Sequence, residues 1–279
     1  MPLKRRIALL FHEADTPESL DDYAVTGLAE VWREEGHEVS VLFGPGGRPA
    51  ADLVFVHVDL SVVPEAYLDF AARFPVAVNG RVRDIRKSAF SPHLLGADDA
   101  WDGPVIVKSD RNFGGLPEAR RGIPRQDGRG LTPPIANPLD YPVYGSLREV
   151  PREVFECRDL VVQKFLPEVE DGLFFIRTYQ FLGDQSTCIR IGARHPIVKN
   201  ETKVFRTAAR PHPDVLALRG RLGFDYGKFD YVERDGGALV LDLNKTTGSA
   251  RHLTPQMLEA RRIRAGGLRS FFREAAPGS

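Results

Sequence analysis

Residues 6–79 alternate short apolar runs with stretches of helical spacing. Arg6–Phe11 (RIALLF) reads as a buried strand. From Ser19 to Glu35 the apolar positions Leu20, Tyr23, Ala24, Leu28, Val31 and Trp32 follow the three-to-four spacing of one helix face. Gly36 is placed to end that helix. Glu38–Phe43 and Leu53–Val58 read as two more strands, Pro64–Phe74 as a short helix and Val76–Asn79 as a fourth strand. Strands that alternate with helices predict a parallel sheet covered by helices, a small three-layer α/β unit.

The pattern then changes. Pro104–Ser109 is a strand that runs into a polar loop, Asp110–Gly115, ending in two glycines. Residues 117–152 are rich in Pro, Gly and Arg, carry little periodicity and read as irregular. Order resumes at Leu160–Leu166. Leu173–Leu182 and Ser186–Ile191 read as antiparallel strands joined at Gly183-Asp184. Asp214–Leu222 is helical. Lys228–Glu233 and Ala238–Leu243 form a hairpin around Asp235-Gly236-Gly237. Pro255–Phe272 is a helix whose basic face, with Arg261, Arg262 and Arg264, is most simply solvated. No internal repeat is visible.

Composition narrows the function classes. The 279 residues are 42% hydrophobic, which allows two or three small units around a real core. Lys+Arg and Asp+Glu both number 38, a balance that argues against a dedicated nucleic-acid or membrane-surface protein. The two cysteines, Cys157 and Cys188, form no CxxC pair and read as reduced, buried thiols. No apolar run approaches a membrane span. A cytoplasmic protein without nucleic-acid or membrane partners is expected. Gly44-Pro-Gly-Gly47 lacks the spacing of a phosphate loop and reads as a turn.

Four stretches can carry chemistry. Alternation along a strand points Asp242 and Asn244 the same way, and a register that sets Asp230 opposite them gathers three oxygen ligands suited to Mg²⁺. On spacing alone, a solvated acidic strand end fits better. Lys108 ends an apolar strand before a glycine loop, where an ammonium and open backbone N–H groups can meet phosphate. A solvated lysine explains that position as well, and Lys87 by itself says less. Leu160–Glu170 is an apolar strand entering a Pro-containing acidic turn, able to wall an aromatic base or to be an ordinary strand and loop.

The order of these elements resembles the ATP-grasp superfamily, whose members include D-alanine–D-alanine ligase, glutathione synthetase and the ribosomal S6 modification ligases. The likeness runs from Ile7 to about Gly248 and is strongest at Val105–Gly115, Val161–Glu170 and Gly227–Gly248. It implies an α/β ATP-grasp fold: an N-terminal α/β unit over 1–86, a central lid unit over 87–166 and a C-terminal α+β unit over 167–279. It implies ATP as cofactor, with Mg²⁺ (or Mn²⁺ in its place).

Position by position, the resemblance gives Lys87 and Lys108 to the phosphates. It sets Asn112, Gly114 and Gly115 in a glycine-rich lid. Gln163, Lys164 and Leu166 match the adenine hinge, and Glu170 or its neighbour Asp171 the ribose acid. Lys203 or Lys199 matches an extra γ-phosphate lysine. Arg177 and Arg190 resemble arginines that face an acyl phosphate. Asp230, Asp242 and Asn244 match a metal set in which Asp242 replaces the usual Glu. Lys245-Thr-Thr-Gly248 stands where relatives have a small residue and Pro-Gly, which would put the Lys245 charge beside the metal. His12 would line the substrate side. The implied activity is ligation of a small-molecule or peptide carboxylate to an amine or thiol through an acyl phosphate. A kinase and a non-catalytic nucleotide-binding protein on the same fold are the alternatives. Homodimers are common in the superfamily.

Overall fold

The computed structural model describes residues 4–47, 49–124, 140–198, 202–250 and 252–272. Its first sheet is parallel, in the order β2-β1-β3-β4. It is built from β1 (Arg6–Phe11), α1 (Ala24–Glu34), β2 (Glu38–Phe43), β3 (Leu53–Val56), α2 (Glu65–Ala71) and β4 (Ala77–Val78). β1 is apolar at every position after Arg6 because both faces are covered. Ile7, Leu9 and Phe11 pack with α1, and Ala8 and Leu10 with Tyr67 and Phe70 of α2.

The sequence predicts one helix from Ser19 to Glu35, but the chain breaks it at Tyr23. A 3₁₀ turn covers Pro17–Asp22, and Tyr23 is extended. Its neighbours bond to the distant loop at 247–249: Ala24 N–H donates to Thr247 O at 2.8 Å, and Ser249 N–H to Asp22 O at 2.7 Å. Two long-range backbone bonds outweigh helical spacing that continues only locally. Gly36 does follow the helix in the left-handed region, at φ 91°.

A second, antiparallel sheet has the order β5-β8-β6-β7. It follows α3 (Lys87–Phe90) and contains β5 (Leu94–Leu95), β6 (Val105–Ser109), β7 (Val143–Tyr144) and β8 (Leu160–Lys164), with α4 (Leu116–Arg120) and α5 (Arg152–Glu156) between strands. Residues 125–139, the middle of the irregular 117–152 stretch, lie outside the described residues.

The third sheet takes β9 (Glu168–Glu170), β10 (Leu173–Leu182), β11 (Gln185–Ala193), β12 (Lys203–Ala208), β13 (Tyr226–Arg234) and β14 (Gly237–Asn244) in the order β12-β11-β10-β13-β14, with β9 also on β10. α6 (Pro213–Leu222) packs Val215 and Leu218 against Tyr179, Phe229 and Tyr231 on one face of it. Periodicity missed β9 and β12: three residues are too few for a pattern, and β12 is an edge strand exposed along most of its length.

Asn79 and α7 are among the contacts that fix this sheet to the first. Asn79, fully buried at φ 57°, accepts from the N–H groups of Asp225 and Tyr226 and donates to Tyr226 O, which anchors the start of β13. α7 (Pro255–Ala265) lies on α1, where buried Trp32 Nε1 donates to Ala265 O at 3.0 Å. Its basic face is therefore partly engaged: Arg261 pairs with Glu30, and Arg264 donates to Thr187. Beyond α7, Gly267 touches β10 so closely that a Cβ would lie 1.9 Å from Leu182 O. Backbone cannot swing aside as a side-chain tip can. Gly267→Ala is expected to cost about 3 kcal/mol, read as a lower midpoint in urea denaturation.

Candidate functional site

A cleft of about 280 Å³ opens between the second and third sheets. One half is apolar, lined by Ile106, Phe165, Leu166, Phe175, Ile197 and Leu241. The other end gathers Lys87, Lys108, Lys228, Asp230, Asp242 and Asn244. Gln163 lines the cleft too. It is fully buried, and its Nε2 donates to Ser91 Oγ at 3.0 Å. Its Oε1 has no partner among the described residues. A buried carbonyl oxygen left unpaired costs about 1–3 kcal/mol, so the cleft wall offers a ready acceptor.

Strand geometry builds the polar end. β6 and β8 pair antiparallel with Ile106 opposite Gln163 and Lys108 opposite Val161, so Ile106, Lys108 and Gln163 share a face. In the hairpin, Asp230 stands opposite Asp242 and Lys228 opposite Asn244. A bulge lets Leu241 sit between these pairs and the next one, Tyr231 with Val240. Bulges re-aim side chains and leave a residue out of the ladder. Here the Leu241 carbonyl accepts from Lys108 Nζ at 3.0 Å. Lys87 comes from the first residue of α3. That short helix is held by Asp110, whose carboxylate accepts from Ser88 N and Oγ, both at 2.7 Å. The Asp110 carbonyl also accepts from Lys87 N at 3.1 Å.

Three ammoniums and two carboxylates thus share one end of the cleft. Lys87 Nζ lies 3.2 Å from Asp242 Oδ1, and Lys228 Nζ 2.7 Å from Asp230 Oδ2. Thr178 Oγ1 donates to Asp230 Oδ1 at 2.8 Å. Burial would raise the Asp242 carboxyl, but Lys87, Lys108 and Lys228 outweigh it and hold it below the usual range. Burial, with Lys87 close by, pushes Lys108 down to about 8. Asp230 keeps Lys228 raised. Tyr141, on the cleft wall, is pushed up to about 12 by burial and by Asp242. No group of three or more His, Cys, Asp or Glu is gathered for a metal among the described residues. At this end of the cleft Asp230, Asp242 and the Asn244 amide offer oxygen donors, a hard set.

Most expected site residues meet here. Lys87, Lys108, Asn112, Gln163, Lys164, Leu166, Asp230, Asp242 and Asn244 all line the cleft. Gly114 and Gly115 do not. They are buried behind Asn112 and Phe113, with left-handed φ of 67° and 73°, and Gly115 leads directly into α4. The Lys164 ammonium also lies over the Trp101 ring, 4.5 Å from its centroid.

Arg177 and Arg190 stand elsewhere. They are direct cross-strand partners, but alternation sends Arg177 away from its neighbour Thr178, which holds Asp230. Both are tied to buried Glu168: Arg177 Nη1 donates to Oε2, and Arg190 Nη2 to Oε1 at 2.9 Å. Arg177 also pairs with Glu233 at 3.0 Å, and Arg190 with Glu170. The placement at an acyl phosphate is corrected accordingly. Glu170 is corrected with them, since it faces Arg190 instead of the cleft. Lys203 opens β12, opposite Ala193, away from the cleft lining, and Lys199 lies outside the described residues.

Lys245 also departs from expectation. It is 1% exposed and turns from the metal-type oxygens toward the first sheet, donating to Val58 O and Leu60 O. His12 lies beyond the cleft at the end of β1, its Nδ1 accepting from Ala14 N–H and its ring stacked on Tyr67. Sequence reasoning overlooked Lys228, although its place two residues before Asp230 sets both on one strand face. It also overlooked Pro196–Val198, whose apolar wall follows from no local pattern.

The described residues include no helix long and apolar enough to cross a membrane. No protein-family model and no curated protein matches the sequence. Solved structures do match it across nearly the whole chain. D-alanine–D-alanine ligase from Bacillus anthracis is similar with a TM-score of 0.51 and 12% identity, over 97% of this chain and 96% of that one. The ATP-grasp ligase PsnB, complexed with a minimal precursor, gives 0.54 and 14% over 95% and 98%. The macrocyclase MdnC from Microcystis aeruginosa, bound with the precursor peptide MdnA, gives 0.52 and 10% over 94% and 98%. Identities this low speak to the fold, and the fold is that of the ATP-grasp ligases.

Proposed function

We propose that this chain is an ATP- and Mg²⁺-dependent ligase that activates a carboxylate as an acyl phosphate and passes the acyl group to an amine or thiol. The observation that carries the reading is the polar end of the cleft, where three lysines surround Asp230, Asp242 and Asn244 beside an apolar slot.

The residues present fit the nucleotide. The unpartnered Gln163 Oε1 is an acceptor for an adenine amino group, and Ile106, Leu166 and Phe175 form flat apolar walls for the ring. Lys87 and Lys108 are placed for phosphate oxygens. Asp230, Asp242 and Asn244 would hold Mg²⁺, which when bound neutralises phosphate charge during transfer.

The chain's own work is charge placement around the reacting groups. Lys87 and Lys228 now neutralise the two carboxylates. Once those carboxylates bind a cation, both ammoniums become available to anionic oxygens. With Arg177 and Arg190 held by Glu168, Lys228 is the cation best placed beside the acyl phosphate. Lys228→Ala is expected to lower turnover by about 10²-fold while nucleotide affinity changes little, as separate titration and rate measurements would reveal.

The reaction itself is tested by trapping. Enzyme, Mg-ATP and hydroxylamine are incubated with a panel of acids, including peptide carboxylates because PsnB and MdnC were solved with precursors. A hydroxamate formed together with ADP is expected for the true substrate class. ATP binding without hydroxamate across a broad panel would count against ligation, and failure to bind Mg-ATP would remove the catalytic reading altogether.

A further inference from the structure

The side chain of the proposed metal ligand Asn244 is held by the bend that follows β14, and that bend is held by the first sheet. Asn244 Oδ1 accepts from Thr246 N–H at 2.8 Å. A backbone N–H only donates, so this contact identifies the amide oxygen and occupies one of its two lone pairs, leaving the other for a cation. Thr246 is itself 4% exposed, and its hydroxyl donates to Asp59 Oδ1 at 2.6 Å. Asp59 is 9% exposed and is held on its other oxygen by Tyr23 OH at 3.1 Å. Lys245, between Asn244 and Thr246, donates to the carbonyls on either side of Asp59: Val58 O at 2.5 Å and Leu60 O at 2.6 Å. Three consecutive residues after β3 therefore clasp two consecutive residues after β14.

The clasp is anchored on its own side. Leu60 N–H donates to Val58 O at 2.9 Å, and Ile85 N–H to Ser61 O at 2.9 Å. Ser61 Oγ accepts from Asn112 N–H at 2.8 Å, so the same loop also holds a residue of the cleft wall. Val58–Ser61 follows β3 where the parallel sheet reverses its strand order, β2 lying on one side of β1 and β3 with β4 on the other. Ligands of open α/β sheets bind beyond the strand ends at that point.

We infer that Asp59, acting through Thr246, is a positioning residue for Asn244, so that metal binding in the cleft depends on the loop Val58–Ser61 of the first sheet. This inference rests on the proposed ATP–metal reading. The hydrogen-bonded residues behind a ligand orient it, and their loss typically weakens metal binding about 10–100-fold. Lys87, Lys108 and Lys228 bond to other partners than Asp59 and Thr246, so affinity for metal-free nucleotide should stand apart from this chain of bonds.

The test titrates Mn²⁺ into enzyme saturated with a non-hydrolysable ATP analogue, following the spectrum of free Mn²⁺ by electron paramagnetic resonance. Thr246→Val and Asp59→Ala are each expected to weaken Mn²⁺ about tenfold, with the analogue's affinity in chelator unchanged within about twofold. Their double variant should be no worse than either single one. Thr246→Ser, which keeps the hydroxyl, should restore wild-type binding. Unchanged Mn²⁺ affinity in both single variants, additive losses, or an equal loss of metal-free binding would overturn the assignment. If the substituted proteins fail to fold, amide exchange of the wild type decides: added Mn²⁺ should protect residues 58–61 and 245–247 in the nucleotide complex, and no protection overturns it. A wild type that binds no Mn²⁺–nucleotide sinks the ATP reading as well. A wild type that binds, with variants that bind equally, sinks this inference alone.

Discussion

Asp242→Asn is expected to lower ATP turnover by about 10³-fold and to abolish the effect of metal on nucleotide binding. Asp242 is the carboxylate on which the three lysines converge, with Lys87 Nζ 3.2 Å away. Neutralising it removes one of the two charged oxygens proposed to hold the metal. It also leaves Lys87, Lys108 and Lys228 with only Asp230 to balance them. Metal-free ATP, a polyanion, should therefore bind the variant more tightly than the wild type. Mg²⁺ should strengthen binding in the wild type and give the variant little or nothing. Calorimetric titration with chelator and with Mg²⁺ reads both effects. Tighter metal-free binding without turnover would distinguish a lost ligand from a collapsed site, and weaker binding in both conditions would argue that Asp242 mainly holds the cleft together.

Nucleotide affinity should be full below about pH 8 and fall above it, because Lys108 loses its proton there. Burial is the main cause, and Lys87 adds to it. Phosphate binding needs the charged form, and a bound polyanion will itself draw the midpoint upward. Lys108→Ala should cost about 10–100-fold in affinity near neutral pH, the range for a hydrogen bond to a charged group. Lys108→Arg keeps its charge at high pH and should flatten the profile. Titrations between about pH 6.5 and 9.5 check this. Stability has the opposite sign. The unfolded lysine keeps its proton to its ordinary value of 10.5, so between about 8 and 10.5 the unfolded chain binds more protons and folding gains as pH rises. Lys245, also pushed down to about 8 by burial, adds a contribution of the same sign. A profile that falls in binding while rising in stability identifies a buried lysine serving an anion.

How much of this was legible in the sequence depends on the range of the interaction that decides each feature. Strands such as Arg6–Phe11, Glu38–Phe43 and Leu173–Leu182 were readable because burial of one or both faces writes itself into local spacing. The hairpin was equally plain, with its Asp-Gly-Gly turn, and so were Asp230, Asp242 and Asn244 as polar residues with no packing use on apolar strands. The order of lysine strand, hinge and hairpin sufficed to imply the fold.

Tertiary structure alone decided which face or neighbour each charge took. Arg177 and Thr178 are adjacent in sequence, yet one meets Glu168 and the other Asp230, because successive strand residues face opposite ways and only pairing with β13 says which way is inward. Tyr23 left its helix for a bridge to Gly248, made by the backbone of its neighbours to a loop more than two hundred residues away, which no local pattern encodes. Lys245 could not be read as a clasp on Val58 and Leu60 until the first sheet was packed against the hairpin. Residue type and spacing fixed what each segment could be. The long-range pairing of strands fixed which of its side chains could meet.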